Sequence, residues 1–242
     1  MLALYWFTLG LIYTIERVRT KNRDIAQLLK TTIRRELFLF DAQSTISIGA
    51  VYMDFKGSQT EKNLLAAFAG ESQARTRYTF FASVAKKEGY EQIAALFEET
   101  AGNEKEHAEL FFKHLKGGMI EINASYPAGV IASTAENLKA AAEGEKLEWG
   151  TLYPNFADVA EQEGFRDVAR TFRSVAKVEA YHERRYLKLL TNVTEGKVFK
   201  KDAKIKWKCR NCGFVYEGSE VPEKCPVCGH PKSYFEVWCE NY

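Results

Sequence analysis

Two Glu-x-x-His elements, Glu104-x-x-His107 and Glu179-x-x-His182, carry the side chains of this sequence best suited to grip a metal. Residues three apart on a helix lie one turn above each other, so each element presents a carboxylate and an imidazole on one face. One such element alone is common on a helix surface. Here two occur, and two lone glutamates, Glu71 and Glu145, sit at matching positions elsewhere. Near the C-terminus come two Cys-x-x-Cys-Gly elements, Cys209-Arg-Asn-Cys212-Gly and Cys225-Pro-Val-Cys228-Gly, separated by twelve residues. Four thiolates so spaced make a tetrahedral all-sulfur site, which suits iron or zinc. Cys239 has no partner in either element and reads as structural or incidental; His114 and His230 also read as structural.

The elements that must position these residues are four helices. Apolar residues recur with a 3.6 period along Leu64–Ala85, Ile93–His114, Leu138–Val159 and Val168–Leu189, and the glutamates and histidines fall on those stripes. Breaks at Glu88-Gly89 and Glu163-Gly164 make two antiparallel hairpins, and a longer crossover, about 117–133, joins them. One long crossover is the ferritin-like connection of a four-helix bundle. Pro154 lies inside the third stripe and predicts a kink. The hairpins also repeat each other. Asn63 to Glu71 matches Asn137 to Glu145 at an offset of 74; from Tyr78 and Tyr153 onward the offset is 75. Equivalent residues should therefore face one another across a pseudo-twofold axis.

A glutamate on a core stripe is costly unless a cation compensates it. One Glu from each of two helices plus Glu-x-x-His from each of the other two is the ligand pattern of di-iron carboxylate bundles. Glu148, three residues after Glu145 on the same face, breaks the repeat, which has Ala74 in the corresponding place. It is either a surface charge or a seventh ligand. Tyr78 and Tyr153 read as core aromatics, with hydrogen bonding to the glutamates as the alternative.

Composition agrees with a soluble globular chain: of 242 residues 46% are hydrophobic and 27% charged. A net charge of +2 argues against nucleic acid as a partner. The apolar run Leu2–Tyr13 is too short to span a bilayer and lacks the flanks of a secretory signal. Thiolate metal sites suit a reducing compartment, so the expected location is cytoplasmic, with no stable membrane association. The expected domains are an atypical extension over 1–54, a bundle over 55–195, a lysine-rich linker over 196–206 and a four-cysteine domain over 207–242. Residues 1–52 hold no ligand and no repeat copy. They are expected to lie upstream of a native start at Met53; a membrane-associating amphipathic extension is the rival reading.

Taken together, the motifs resemble the rubrerythrin family over about residues 54–242. The resemblance rests on Phe68-Ala-Gly-Glu71, Glu104-x-x-His107, Glu145-x-x-Glu148, Glu179-x-x-His182 and the four knuckle cysteines, with flanking aromatics such as Trp207 and Phe235 like those of rubredoxin. It implies an all-α four-helix ferritin-like bundle followed by a small rubredoxin-like β and knuckle domain. It implies a di-iron site held by Glu71, Glu104, His107, Glu145, Glu148, Glu179 and His182, and one iron (zinc being possible) held by Cys209, Cys212, Cys225 and Cys228. Glu148 and His107 would be alternative ligands to one iron, exchanged with oxidation state, and so the catalytic pair. Five glutamates against a diferrous or a diferric pair leave net charges of opposite sign, which matches gaining a carboxylate on oxidation. The implied activity is reduction of hydrogen peroxide to water in oxidative-stress protection. Electrons would come from a rubredoxin or an NAD(P)H-dependent reductase, in a homodimer. A ferroxidase or iron-storage protein, and a bundle with a structural zinc ribbon, are the alternatives.

Overall fold

Ser58 starts the first helix: its hydroxyl accepts the Glu61 N–H at 3.0 Å and satisfies one of the donors that a helix start leaves free. The structure, a computed structural model, describes residues 54–241. The expectations for residues 1–52 fall outside them. Helix α1 runs Gln59–Lys87, α2 Glu91–His114, α3 Thr134–Leu147, α4 Tyr153–Gln162 and α5 Arg166–Thr194. The segment Glu148–Leu152 joins α3 to α4 as a π turn, so the two make one interrupted rod. Helices α1 and α2 form one hairpin, and the α3–α4 rod with α5 forms the other, as the sequence predicts.

The hairpins lock each other reciprocally at their ends. Glu163, in the turn of the second hairpin, accepts from the backbone of Gln59 and Thr60 at 3.1 and 2.8 Å and from the Thr60 hydroxyl. Glu88, its counterpart in the first turn, accepts from the Thr134 N–H at 3.1 Å. Each turn thus places a carboxylate at the positive end of the other hairpin's first helix. Along the axis the core has three layers. Phe81, Phe97, Leu138 and Tyr186 fill one apolar layer. Leu64, Phe111, Tyr153 and Phe172 fill another. Between them lies a buried polar layer of Glu71, Glu104, His107, Glu145, Glu179 and His182.

The expected kink at Pro154 takes the form of the π turn. Proline has no N–H and its ring collides with the carbonyl four residues back. The wider turn avoids this, with the Tyr153 N–H bonding to the Glu148 carbonyl five residues earlier. That turn holds one residue more than an α turn, and it lies where the repeat offset changes from 74 to 75. The inserted residue therefore leaves the second half of the rod in register with its counterpart on α1.

The stretch expected to be a linker, 196–206, is corrected: from Lys200 it belongs to strand β1, Lys200–Cys209. The lysines misled because they are one face of a period-2 strand. Trp207 and Cys209 are buried and Ile205 partly so, while Lys204 and Lys206 alternate with them and face solvent. Strand β1 pairs antiparallel with β2, Val215–Glu220, and with β3, Phe235–Val237, in the order β2-β1-β3. The Trp207 indole donates to the Gly218 carbonyl at 2.9 Å, fixing the large side chain at the centre of this small core. The sheet joins the bundle at the α1–α2 turn, where Tyr90 stacks on Phe199 with ring centroids 6.0 Å apart. No helix among the described residues is long and apolar enough to cross a membrane.

Candidate metal centre

Six of the seven predicted bundle ligands converge in the polar layer. Ligand atoms of Glu71, Glu104, His107 and Glu179 lie within 4.8 Å of one another, and so do those of Glu104, Glu145, Glu179 and His182. The two groups share Glu104 and Glu179. Such overlap describes two adjacent metal positions: each has its own glutamate and histidine, and two carboxylates reach both. The His107 and His182 rings face each other with centroids 5.9 Å apart.

The donor set fits cations better than it fits itself. Glu71 Oε2, Glu104 Oε1, Glu145 Oε2, both Glu179 oxygens and His182 Nδ1 are buried without a hydrogen-bond partner. Leaving one such group unmet costs about 1–3 kcal/mol. His182 Nδ1 lies 2.7 Å from Glu179 Oε2 and 3.2 Å from Glu104 Oε1, yet its angles are not those of a hydrogen bond. The atoms point towards common centres rather than at one another, as ligands of shared ions do.

Electrostatics tell the same story for the protein alone. Burial, then the charge of Glu148, raises the Glu71 carboxyl well above the ordinary range. Burial, then Glu104, pushes Glu145 up to about 8. Burial works against the His107 cation, but its hydrogen bond to Glu104 and the neighbouring Glu179 carboxylate outweigh it and raise that ring to about 9. Glu104 runs the other way: burial raises it, and the imidazoles of His107 and His182 together pull it below the usual value. Protons on these groups do the neutralising that two metal ions would do.

The hydroxyls of Tyr78 and Tyr153 close the layer crosswise. Tyr78 donates to Glu145 Oε1 and Tyr153 to Glu71 Oε1, each at 2.5 Å. Both readings of these residues hold at once, since each ring is core and each hydroxyl is spent on a glutamate of the other repeat. The pseudo-twofold relation predicted from the repeat is thus visible at the site.

Glu148 is the predicted ligand outside both groups. It lies at the first residue of the π turn and lines a chamber of about 770 Å³ under the crossover segment, together with Tyr153, Gly70, Arg77 and Tyr126. After burial, its charge is the strongest influence raising Glu71, so it lies near that carboxylate. The arrangement has His107 inside the cluster and Glu148 beside it. Arg77 and Gln73, which share the chamber, were not singled out by sequence; their only signal there is that they break the repeat.

The four cysteines also converge, with Cys209 Sγ 3.8 Å from Cys228 Sγ and Cys212 Sγ 3.7 Å from Cys225 Sγ. A tetrahedron with metal–sulfur bonds of about 2.3 Å has edges of about 3.8 Å. The two knuckles are built alike. Gly213 and Gly229 donate to the carbonyls of Cys209 and Cys225, each at 2.9 Å, and adopt φ of +79° and +71°, which favours glycine. The His230 N–H holds the Cys228 thiol down to about 6. Cys239 is exposed and outside the group. His114 bonds Thr171 at 2.9 Å and His230 packs on Tyr234, structural roles as expected.

Comparison with known proteins agrees with this geometry. The family model described as rubrerythrin matches residues 62–190, and that described as rubrerythrin, rubredoxin-like domain, matches 207–236. The chain is 64% identical over 187 residues to a rubrerythrin of Porphyromonas gingivalis, covering 77% of this chain and 94% of the relative. It is 53% identical over 187 residues to a rubrerythrin of Nitratidesulfovibrio vulgaris, covering 77% and 98%. Among solved structures, nigerythrin in a partially reduced state superposes with a TM-score of 0.50 at 32% identity, covering 80% of this chain and 96% of that one. An open-pore ferritin from Archaeoglobus fulgidus, at 16% identity and a TM-score of 0.50 over 60% of this chain and 87% of its own, shares the bundle fold.

Proposed function

Because the chain belongs to the rubrerythrin family, with that family's di-iron and four-cysteine sites, we propose that it is a peroxidase that reduces hydrogen peroxide to water. The observation that carries this reading is the pair of overlapping ligand groups sharing Glu104 and Glu179, fused to a four-cysteine centre. A diferrous pair held there would supply two electrons, which with two protons balance the conversion of one hydrogen peroxide to two waters. The protein's part is placement. Glu71 and His107 would hold one ion and Glu145 and His182 the other, with Glu104 and Glu179 within reach of both. Tyr78 and Tyr153 hold Glu145 and Glu71 in position. Glu148, which lines the chamber, would both meet an incoming peroxide and replace His107 beside Glu71.

The cysteine centre relays electrons singly, from a rubredoxin-type or NAD(P)H-dependent donor. Within one chain it sits at the α1–α2 turn, where Gly89 lies against Ser233. From Glu91, at the start of α2, to Glu104 is thirteen residues, about 20 Å of helix. Electron tunnelling decays steeply with distance, so this separation supports a homodimer in which each module serves the other copy's di-iron site. The iron-storage alternative has no use for a fused electron carrier. The test is peroxide consumption by purified iron-loaded protein with a reduced rubredoxin donor. Stoichiometric oxidation of donor per peroxide is expected; iron uptake without catalytic donor oxidation would point to storage instead.

A further inference from the structure

The repeat that explains six ligands also isolates a group of residues it does not explain. Glu148 has Ala74 as its counterpart on α1. Arg77, four residues after Gln73 on α1, has Leu152 as its counterpart at the end of the π turn, and Gln73 has Leu147. Their counterparts Ala74, Leu147 and Leu152 are apolar, and Leu147 and Leu152 line the same chamber as the three polar residues. Arg77 is anchored there: its Nε donates to Gln73 Oε1 at 2.7 Å. Its outer guanidinium nitrogen lies 3.9 Å from where a side chain at Gly144 would begin. Gly144 is one turn before Glu148 on the same helix face, so the guanidinium lies beside the stretch of helix that carries that carboxylate.

We propose that Arg77 is a positioning residue that receives the Glu148 carboxylate in the chamber whenever Glu148 is off the metal, with Gln73 holding the guanidinium in place. The inference rests on the reading of Glu148 as an alternative ligand to His107. A carboxylate that leaves a metal loses the charge that balanced it, and the Arg77 guanidinium, lining the same chamber beside Gly144, is the cation placed to replace it. No ion pair within 4.0 Å joins the two among the described residues here, so the guanidinium acts across the chamber and closes on the carboxylate as it swings out.

The test is the ligand set of the diferrous protein in crystals, with the di-iron midpoint potential as a second readout. Wild type and Arg77→Lys are expected to have His107 on the iron and Glu148 in the chamber. Arg77→Leu, and the milder Arg77→Gln should the first fold poorly, are expected to keep Glu148 on the iron and to shift the potential downward, because the ligand of the ferric state is retained. A merely structural arginine would lower the melting temperature and leave both readouts unmoved. Diferrous Arg77→Leu or Arg77→Gln with Glu148 in the chamber and an unchanged potential would overturn the proposal. Wild type with identical ligands in both oxidation states would instead overturn the ligand exchange on which it rests.

Discussion

The Tyr153 hydroxyl reaches across the bundle to Glu71 Oε1 at 2.5 Å, and so joins the rod of one hairpin to the metal ligand of the other. Removing it with Tyr153→Phe keeps the ring in its apolar layer and leaves Glu71 with no donor. Metal affinity is expected to fall about 10- to 100-fold, the usual effect of losing a hydrogen bond behind a ligand. Competition titration with a chelator measures this. Unchanged affinity would mean that the hydroxyl only fills space.

Cys209→Ser should separate the two centres. The sulfur-to-oxygen change spoils one corner of the tetrahedron but lies in a core of its own, at the far end of the bundle. Steady-state peroxide turnover with a rubredoxin donor should be abolished. A single oxidation of pre-reduced di-iron protein, followed by stopped-flow absorbance, should survive. Undiminished turnover in the variant would remove the module from the relay.

The metal-free protein should lose stability as pH rises. Glu145 is raised from 4.5 to about 8, so its contribution is whole below about 4.5 and drains away towards 8. His107 is raised from 6.5 to about 9, so its contribution is whole below 6.5 and is lost through about 9. Both act in the same direction. The melting temperature of metal-free protein should therefore fall from pH 5 to pH 9, while the iron-loaded form, whose ligands are neutralised by cations, should not follow it. A metal-free melting temperature that rises over this range would contradict the assignment of these groups to one buried layer.

Glu163→Ala removes the carboxylate that receives two backbone N–H groups and a hydroxyl at the start of α1. The loss should cost about 1 kcal/mol, as for other helix N-terminal acceptors. Glu88→Ala should cost less, since it receives one N–H. The two sites lie at opposite ends of the bundle, so chemical denaturation of the double variant should give the sum.

How far the sequence carried the reading depended on what each residue had to oppose. Glu71, Glu104, Glu145 and Glu179 stood out because a carboxylate on an apolar stripe contradicts its surroundings. Their convergence could be foreseen from the repeat. Strand β1 was missed because Lys200 to Lys208 show their solvated face first, and only Ile205, Trp207 and Cys209 carry the alternation. Arg77 and Gln73 were missed for the same reason: on α1 they look like an ordinary wet face, and what they touch comes from a different helix and the crossover. Glu88 and Glu163 bear signals in hindsight, since each precedes the glycine of a matching turn. Nothing local in either tells that it reaches the other hairpin's start.

An exact twofold offers ligands only in even numbers. The π turn at Glu148–Leu152 is where this chain stops being two copies of one hairpin, and it does so without letting the difference spread. A residue added to an unbroken α-helix rotates everything beyond it by about 100°. Here the surplus is absorbed within five residues, so Tyr153 regains its symmetric station and still finds Glu71. The odd carboxylate stands at the first step of that slip, where the other copy has Ala74. Asymmetry in this bundle is thereby local and the paired framework around it stays intact.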